Sequence, residues 1–145
     1  MSGEIPVAAA VALSGAALIF LTGLLTGIWK WRAMLAAADH RAPIYVDTLH
    51  RAALMYAFAS ALCALLAALS AWPAWLNLAG VALLLANFGV TLAVYAYLGR
   101  RGDTTTQFSR RGWHTTQGMV LLILGEVGGF LILASGTAVT LWGGG

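Results

Sequence analysis

Two polar side chains, Asn87 and Glu126, fall deep inside long apolar segments of this sequence. Counted at about 1.5 Å per residue from the segment ends, both lie near the middle of a lipid bilayer. A polar group at that depth is unfavourable unless it has a partner, so such groups commonly mark a functional interior. We therefore expect Asn87 and Glu126 to meet in one polar layer.

The chemistry open to these two residues differs. The Glu126 carboxyl can order the helices by hydrogen bonding, act as a proton- or cation-coupled transport site as in small multidrug exporters, or support a cofactor pocket. The Asn87 amide can bond a neighbouring helix or contact a substrate. At helical spacing Asn87 shares a face with Thr91 and, at its edge, Tyr95. That face is the candidate wall of a pocket.

A histidine, His50, stands above a stripe of small residues. At 100° per residue, the positions beneath it on the same helical face are Ala53, Ala57, Ala61, Ala64 and Ala68. Such a stripe either lets another helix approach closely or leaves room for a flat ligand held by the imidazole. Because a single neutral imidazole is a common axial ligand of haem iron, His50 is the candidate metal ligand. Arg51, Ala53 and Ala57 are the candidate cofactor contacts, Arg51 through a haem propionate.

Other metal arrangements stay open on spacing alone. His114 precedes the fourth apolar segment and could approach His50, which allows a bis-histidine haem or a metal site that includes Asp47. The sequence contains neither a zinc motif such as HExxH nor the C-x-x-C-H of covalent haem. It also lacks the glycine loops of nucleotide-binding proteins and the G-x-S-x-G of hydrolases.

Four apolar segments must position these residues. The chain is 61% hydrophobic and only 9% charged, against roughly 25% charged in soluble proteins. The segments cover 7–29, 49–70, 74–98 and 117–142, and each reaches the ~20 residues that cross a bilayer core. Continuous Ala/Leu-rich segments in lipid must be helices, since the backbone finds no other partners there. We predict an all-α fold: one membrane domain over residues 1–145, built as a polytopic four-helix bundle.

The basic residues indicate how the bundle is oriented. All 8 Lys and Arg residues lie in or beside the first and third connections, which share one side of a four-span chain. By the positive-inside rule these connections are cytoplasmic and both termini lie outside. We expect each of the two connections, at 30–50 and 99–116, to be about twenty residues long. We also expect an integral protein of the bacterial inner membrane that binds no nucleic acid.

Two glycine pairs have the GxxxG spacing of closely packed membrane helices, Gly23 with Gly27 and Gly125 with Gly129. The spacing predicts close helix contact in both places. Whether that contact lies within one chain or between copies stays open at this point.

These features resemble the family of small four-helix membrane isomerases that includes styrene oxide isomerase and hydroxylaminobenzene mutase. The resemblance rests on glycines in the first segment, on the runs 49–55 (LHRAALM) and 86–91 (ANFGVT), and on a long polar connection before a glycine-rich fourth segment. It covers most of the chain in topology.

The resemblance implies haem b bound by the helix-two histidine in a homotrimer, with ferric iron acting as a Lewis acid on a substrate oxygen. Carried over, His50 is the axial ligand and Asn87 the pocket asparagine. Thr91 matches the mutase, since the isomerase has tyrosine there, and Tyr56 stands where the family usually has asparagine. Tyr56, Asn87 and Thr91 are thus the candidate catalytic residues for a small hydrophobic, aromatic epoxide or hydroxylamine.

Two other functions remain open beside this isomerase. One is a b-type cytochrome or membrane-anchor subunit, in which His50 and His114 both bind haem and only electrons move. The other is a small proton-coupled exporter that is centred on Glu126 and uses no cofactor.

Overall fold

The computed structural model describes residues 4–108 and 112–143. These ranges contain four α-helices and no strand: α1 (Val7–Ala36), α2 (Ile44–Leu69), α3 (Ala74–Arg101) and α4 (Gln117–Trp142). A short 3-10 turn, Trp113–Thr115, precedes α4. Each α-helix is long and apolar enough to cross a membrane. The expected all-α, four-helix membrane fold is confirmed.

Proline and glycine set several of the helix boundaries. The first three helices begin directly after Pro6, Pro43 and Pro73. Proline lacks an N–H to donate and has a fixed φ, so it is tolerated where a helix starts and disrupts a helix interior. At the other end of α3, Gly102 has a φ of 64°. This left-handed conformation commonly ends helices and suits glycine, which has no Cβ.

The first connection is much shorter than the expected 30–50. Helix α1 continues to Ala36 and α2 begins at Ile44, so only residues 37–43 join them. The prediction placed the end of α1 where the apolar segment ends. The helix continues beyond that point because the residues at 33–36, Ala, Met, Leu and Ala, favour helix. As a result His50 lies in the second turn of α2 and does not open that helix.

The helices run in alternating directions. Where α1 meets α2, Gly23 lies against Leu54 and Gly27 against His50, so residue numbers rise along one helix as they fall along the other. The same relation holds between α3 and α4. Helices α2 and α3 contact each other and both outer helices, whereas the described parts of α1 and α4 do not touch. The bundle therefore has α2 and α3 at its centre.

One end of the bundle, which we call the basic end, carries the described basic side chains. These are Lys30, Arg32, Arg41, Arg51, Arg100 and Arg101. Asp47 accepts two salt bridges there, from Lys30 Nζ at 2.6 Å and from Arg51 at 3.0 Å. Arg110 and Arg111 lie outside the described residues.

Hydrogen bonds tie α4 to its neighbours at the opposite end. Trp72 Nε1–H donates to Ser135 Oγ at 3.0 Å, and Thr137 Oγ1–H donates to the Leu66 carbonyl at 2.9 Å. Toward the basic end the space between α3 and α4 instead contains a cavity. At this end, opposite the basic end, α4 is thus held against α2 and against the connection that precedes α3.

Candidate functional site

The cavity between α3 and α4 has a volume of about 940 Å³. Ligand pockets commonly measure roughly 300–1,000 Å³, so it can hold a small organic molecule. It extends from Asn87 and Glu126, near the middle of their helices, to Arg101 and residues 103–108 at its mouth. Three residues of its rim, Val90, Leu121 and Ile123, are more than half exposed. The cavity therefore also opens sideways, toward the surface that lipid would cover.

The three candidate catalytic residues line this cavity together. Tyr56 reaches it from α2, and Asn87 and Thr91 reach it from α3. The Tyr56 ring is stacked on Phe88, with centroids 4.3 Å apart and planes 8° from parallel, which fixes its orientation. Thr91 lies beside the Tyr56 hydroxyl. Two hydroxyls and an amide thus lie together in the wall of one cavity.

Asn87 is held between α3 and α4. Its Nδ2–H donates to the Leu122 carbonyl at 3.3 Å. The absence of a side chain at Gly125 makes room for it, because a Cβ there would collide with the Asn87 amide. An amide has two N–H donors and an acceptor oxygen, so Asn87 keeps polar atoms beyond the one that bonds Leu122. Asn87 therefore makes the interhelical bond and also lines the cavity.

Glu126 lines the same cavity, as the predicted polar layer requires, and is half-buried. Tyr56 and Tyr95 line this cavity as well. Within residues 4–108 and 112–143, no hydrogen bond or salt bridge to its carboxylate is present. The polar layer exists, and its carboxylate has no protein partner in the described structure.

Arg101 is the one basic residue among the described residues that line the cavity. It lies at the mouth, where Nη1–H donates to the Tyr97 hydroxyl at 2.9 Å and a second guanidinium nitrogen pairs with Asp103. The guanidinium also lies 5.6 Å from the centre of the Tyr97 ring. Its charge is thus already matched locally and is not directed at Glu126.

His50 lies against α1, in the groove that Gly23 and Gly27 leave open. Its Nδ1 is 2.9 Å from the Gly23 carbonyl oxygen. A carbonyl only accepts hydrogen bonds, so Nδ1 carries a proton, and the neutral form of the ring has its lone pair on Nε2. Metal-binding histidines commonly hold their second nitrogen in this way. The donor chemistry of His50 thus fits the role of an axial ligand.

The other candidate cofactor contacts, Arg51, Ala53 and Ala57, lie on the same helix as His50 and do not line the cavity. Ala53 is completely buried and Ala57 nearly so, while Arg51 is exposed and paired with Asp47. Neither His50 nor these three residues line the cavity between α3 and α4. Of the alanine stripe, Ala64 is also buried, whereas Ala61 and Ala68 are exposed.

The second histidine of the bis-histidine hypothesis cannot be placed, since the His114 side chain lies outside the described part of the structure. No group of three or more metal-ligating side chains occurs among the described residues. Asp47, the other candidate in that hypothesis, is occupied by Lys30 and Arg51.

Several lining residues were not singled out by the sequence. Those at the mouth are Tyr97, Arg101, Asp103, Gln107, Phe108 and Trp113. Most come from the third connection, whose path follows no periodic pattern. Only the i, i+4 spacing of Tyr97 and Arg101 gave a local signal that these two side chains meet.

Compared with family models, curated proteins and solved structures, the chain matches none of them. The functional argument therefore depends on the residues of this chain.

Proposed function

We propose that this chain is a membrane-embedded isomerase that holds a small aromatic epoxide or aryl hydroxylamine in the cavity and uses haem b bound through His50. One observation carries the proposal: Tyr56, Asn87 and Thr91, which occupy the pocket positions of the resembling family, line one cavity of ligand size. Four helices that can span a membrane fit a substrate that dissolves in lipid.

The cavity supplies what an isomerisation needs from the protein. The reaction adds no atoms, so water must be kept from the reactive centre and the substrate oxygen must be held in place. The Tyr56 and Thr91 hydroxyls and the free N–H of Asn87 are donors for that oxygen. The apolar lining accepts the aromatic ring, and the opening beside Val90 and Leu121 admits the substrate from lipid.

Nε2 of His50 would hold the haem, since Nδ1 is bonded to the Gly23 carbonyl. Bound there, the iron supplies a Lewis acid that polarises an oxygen without proton exchange. Arg51, the next residue and exposed at the basic end, would pair with a propionate.

The proposal includes a homo-oligomer, a trimer by resemblance. Tyr56 follows His50 by six positions, which turns it about 120° around α2. His50 faces α1, whereas Tyr56 is stacked on α3. A cofactor held by His50 would therefore lie outside the cavity of its own chain, and the proposed homo-oligomer is what would bring His50 of one copy to the cavity of another.

The test combines a spectrum with an activity assay. Protein produced with haem supplied and purified in detergent is expected to show a Soret band and to isomerise styrene oxide or N-phenylhydroxylamine. His50→Ala should lose the band, and Asn87→Ala should keep it but lose at least about tenfold in kcat/KM, as removal of one positioned donor does. His40→Ala, a change in the exposed first connection, should keep both.

Absence of a Soret band in the wild-type protein would contradict the proposal. It would favour the second candidate, a proton-coupled exporter, which is supported by Glu126 in the cavity, a carboxylate with no partner among the described residues. A six-coordinate, low-spin haem without isomerase activity would instead favour electron transfer.

A further inference from the structure

Glu126 is unlike the other acidic residues of the chain. Of the 5 acidic residues, only Asp47 and Glu126 lie within the α-helices. Asp47 is paired with two basic side chains at the basic end, whereas Glu126 lines the cavity between α3 and α4. The proposed isomerisation does not assign the Glu126 carboxylate a role.

Among the described residues, the cavity that Glu126 lines offers no unmatched positive charge and contains aromatic rings. Arg101, the basic residue of the described lining, is already bonded to Tyr97 and Asp103. A carboxylate in partly apolar surroundings is unfavourable unless it takes up a proton or a cation accompanies it, and a bound cation favours the charged form. Tyr56 and Tyr95 line the same cavity as Glu126, and the faces of aromatic rings attract cations. Both features favour a positively charged ligand.

We propose that this cavity binds an amphiphilic organic cation, with Glu126 as its counter-ion and the rings of Tyr56 and Tyr95 as its aromatic wall. A metal ion fits less well, because hard cations take six or more oxygen ligands and the described residues hold no cluster of three metal-ligating side chains. An organic cation with one charge needs only one carboxylate.

The shape of the cavity agrees with an amphiphilic ligand. Its volume of about 940 Å³ exceeds what an ammonium group alone would fill. Apolar lining residues such as Val94, Met119 and Leu122 would cover the hydrophobic part of the ligand. The lateral opening lets the ligand enter from lipid, where amphiphilic cations concentrate. The inference uses no property of His50 or of haem, so it stands apart from the proposed isomerase.

The test is equilibrium dialysis of the full-length protein in detergent against tetraphenylphosphonium, with protein-free micelles as background. Triphenylphosphine oxide, an uncharged aromatic compound, is the neutral comparison. Saturable binding of the cation to the wild-type protein is expected. Glu126→Gln should weaken it at least about tenfold, because one member of a buried charge pair is removed. Affinity for the neutral compound should stay within about threefold, as expected when only a charge is lost.

Asp39→Asn is the matched control, because it removes an exposed acid of the first connection, outside the cavity, and leaves Glu126 in place. It should bind tetraphenylphosphonium like the wild type. If Glu126→Gln does not fold, Tyr95→Leu provides a second measurement and should weaken the cation selectively over the neutral compound.

Equal cation affinity in the wild type and Glu126→Gln would overturn the inference. So would an equal loss of cation binding in Glu126→Gln and in Asp39→Asn, which would make binding a response to the net charge of the protein alone. Each result is independent of the Soret band and of isomerase activity, so the two proposals can fail separately.

Discussion

Asn87 combines two roles that appeared as alternatives when only its position in the sequence was considered. Its depth in an apolar segment predicted a partner, and the structure supplies one in the Leu122 carbonyl. The amide has polar atoms to spare, so the same side chain also lines the cavity. The sequence indicated the kind of residue and its depth, but the partner depends on how α4 is rotated against α3.

Gly125 should be needed for this arrangement. In Gly125→Ala the new methyl would displace the Asn87 amide, which overpacks the contact and breaks the bond to Leu122. In Gly128→Ala a Cβ meets nothing within 4 Å. Both variants gain about 1 kcal/mol of helix propensity, so their difference isolates the collision. We expect Gly125→Ala to be less stable than Gly128→Ala by about 1–3 kcal/mol, measured by SDS unfolding in mixed micelles. Equal stability would mean that Asn87 moves without loss.

His50 illustrates what local sequence can and cannot predict. Its residue type and the small residues near it suggested ligand chemistry. Its actual partner is the Gly23 carbonyl, 27 positions away. No local pattern gives that pairing, because it depends on the register between α1 and α2.

At the scale of helices, both GxxxG pairs mark contacts within one chain. Gly23 and Gly27 receive side chains of α2, while Gly125 and Gly129 receive atoms of α3. The spacing predicted close approach correctly, but it could not say which helix approaches.

Helix ends were predicted less well than the existence of the helices. Helix α1 has 30 residues, which is about 45 Å of helix, and so it extends beyond a bilayer core of about 30 Å.

The groove at Gly27 should be essential to the position of His50. A Cβ at residue 27 would already lie 3.0 Å from His50 Cε1, so Gly27→Leu must push the ring away or separate α1 from α2. We expect lower thermal stability and, under the proposed function, loss of the Soret band. Gly89→Leu is the control, since a Cβ at Gly89 has no neighbour within 4 Å. If Gly27→Leu retains haem and stability as Gly89→Leu does, the groove does not position His50.

At the scale of the whole molecule, the site arises where two helices are closed at one end and separated at the other. Composition and charge were sufficient to predict four helices and the gathering of basic residues at one end. The cavity itself could not be predicted, because it depends on the angle between α3 and α4 and on the path of the third connection. Asn87 and Glu126 were predicted to share a polar layer, and both line the cavity, whereas Phe108 and Trp113 at its mouth were not singled out.

The orientation of the bundle decides which side of the membrane the mouth of the cavity faces, and labelling can measure it. In a Cys63→Ala background, Ala71→Cys at the far end should react with a membrane-impermeant maleimide on intact cells. Thr105→Cys, at the basic end, should react only after permeabilisation, because basic residues are retained on the cytoplasmic side. The wild-type protein should remain unlabelled, since Cys63 is buried.

Labelling of Thr105→Cys on intact cells would show that the chain is inserted the other way round from the prediction. Arg101 and the mouth of the cavity would then face outward, and charged ligands would reach the site from outside the cell. Substrates that enter beside Val90 and Leu121 would be unaffected, because that opening faces lipid in either orientation. The labelling result therefore separates the two routes into the cavity: only the route through the mouth depends on which way the chain is inserted.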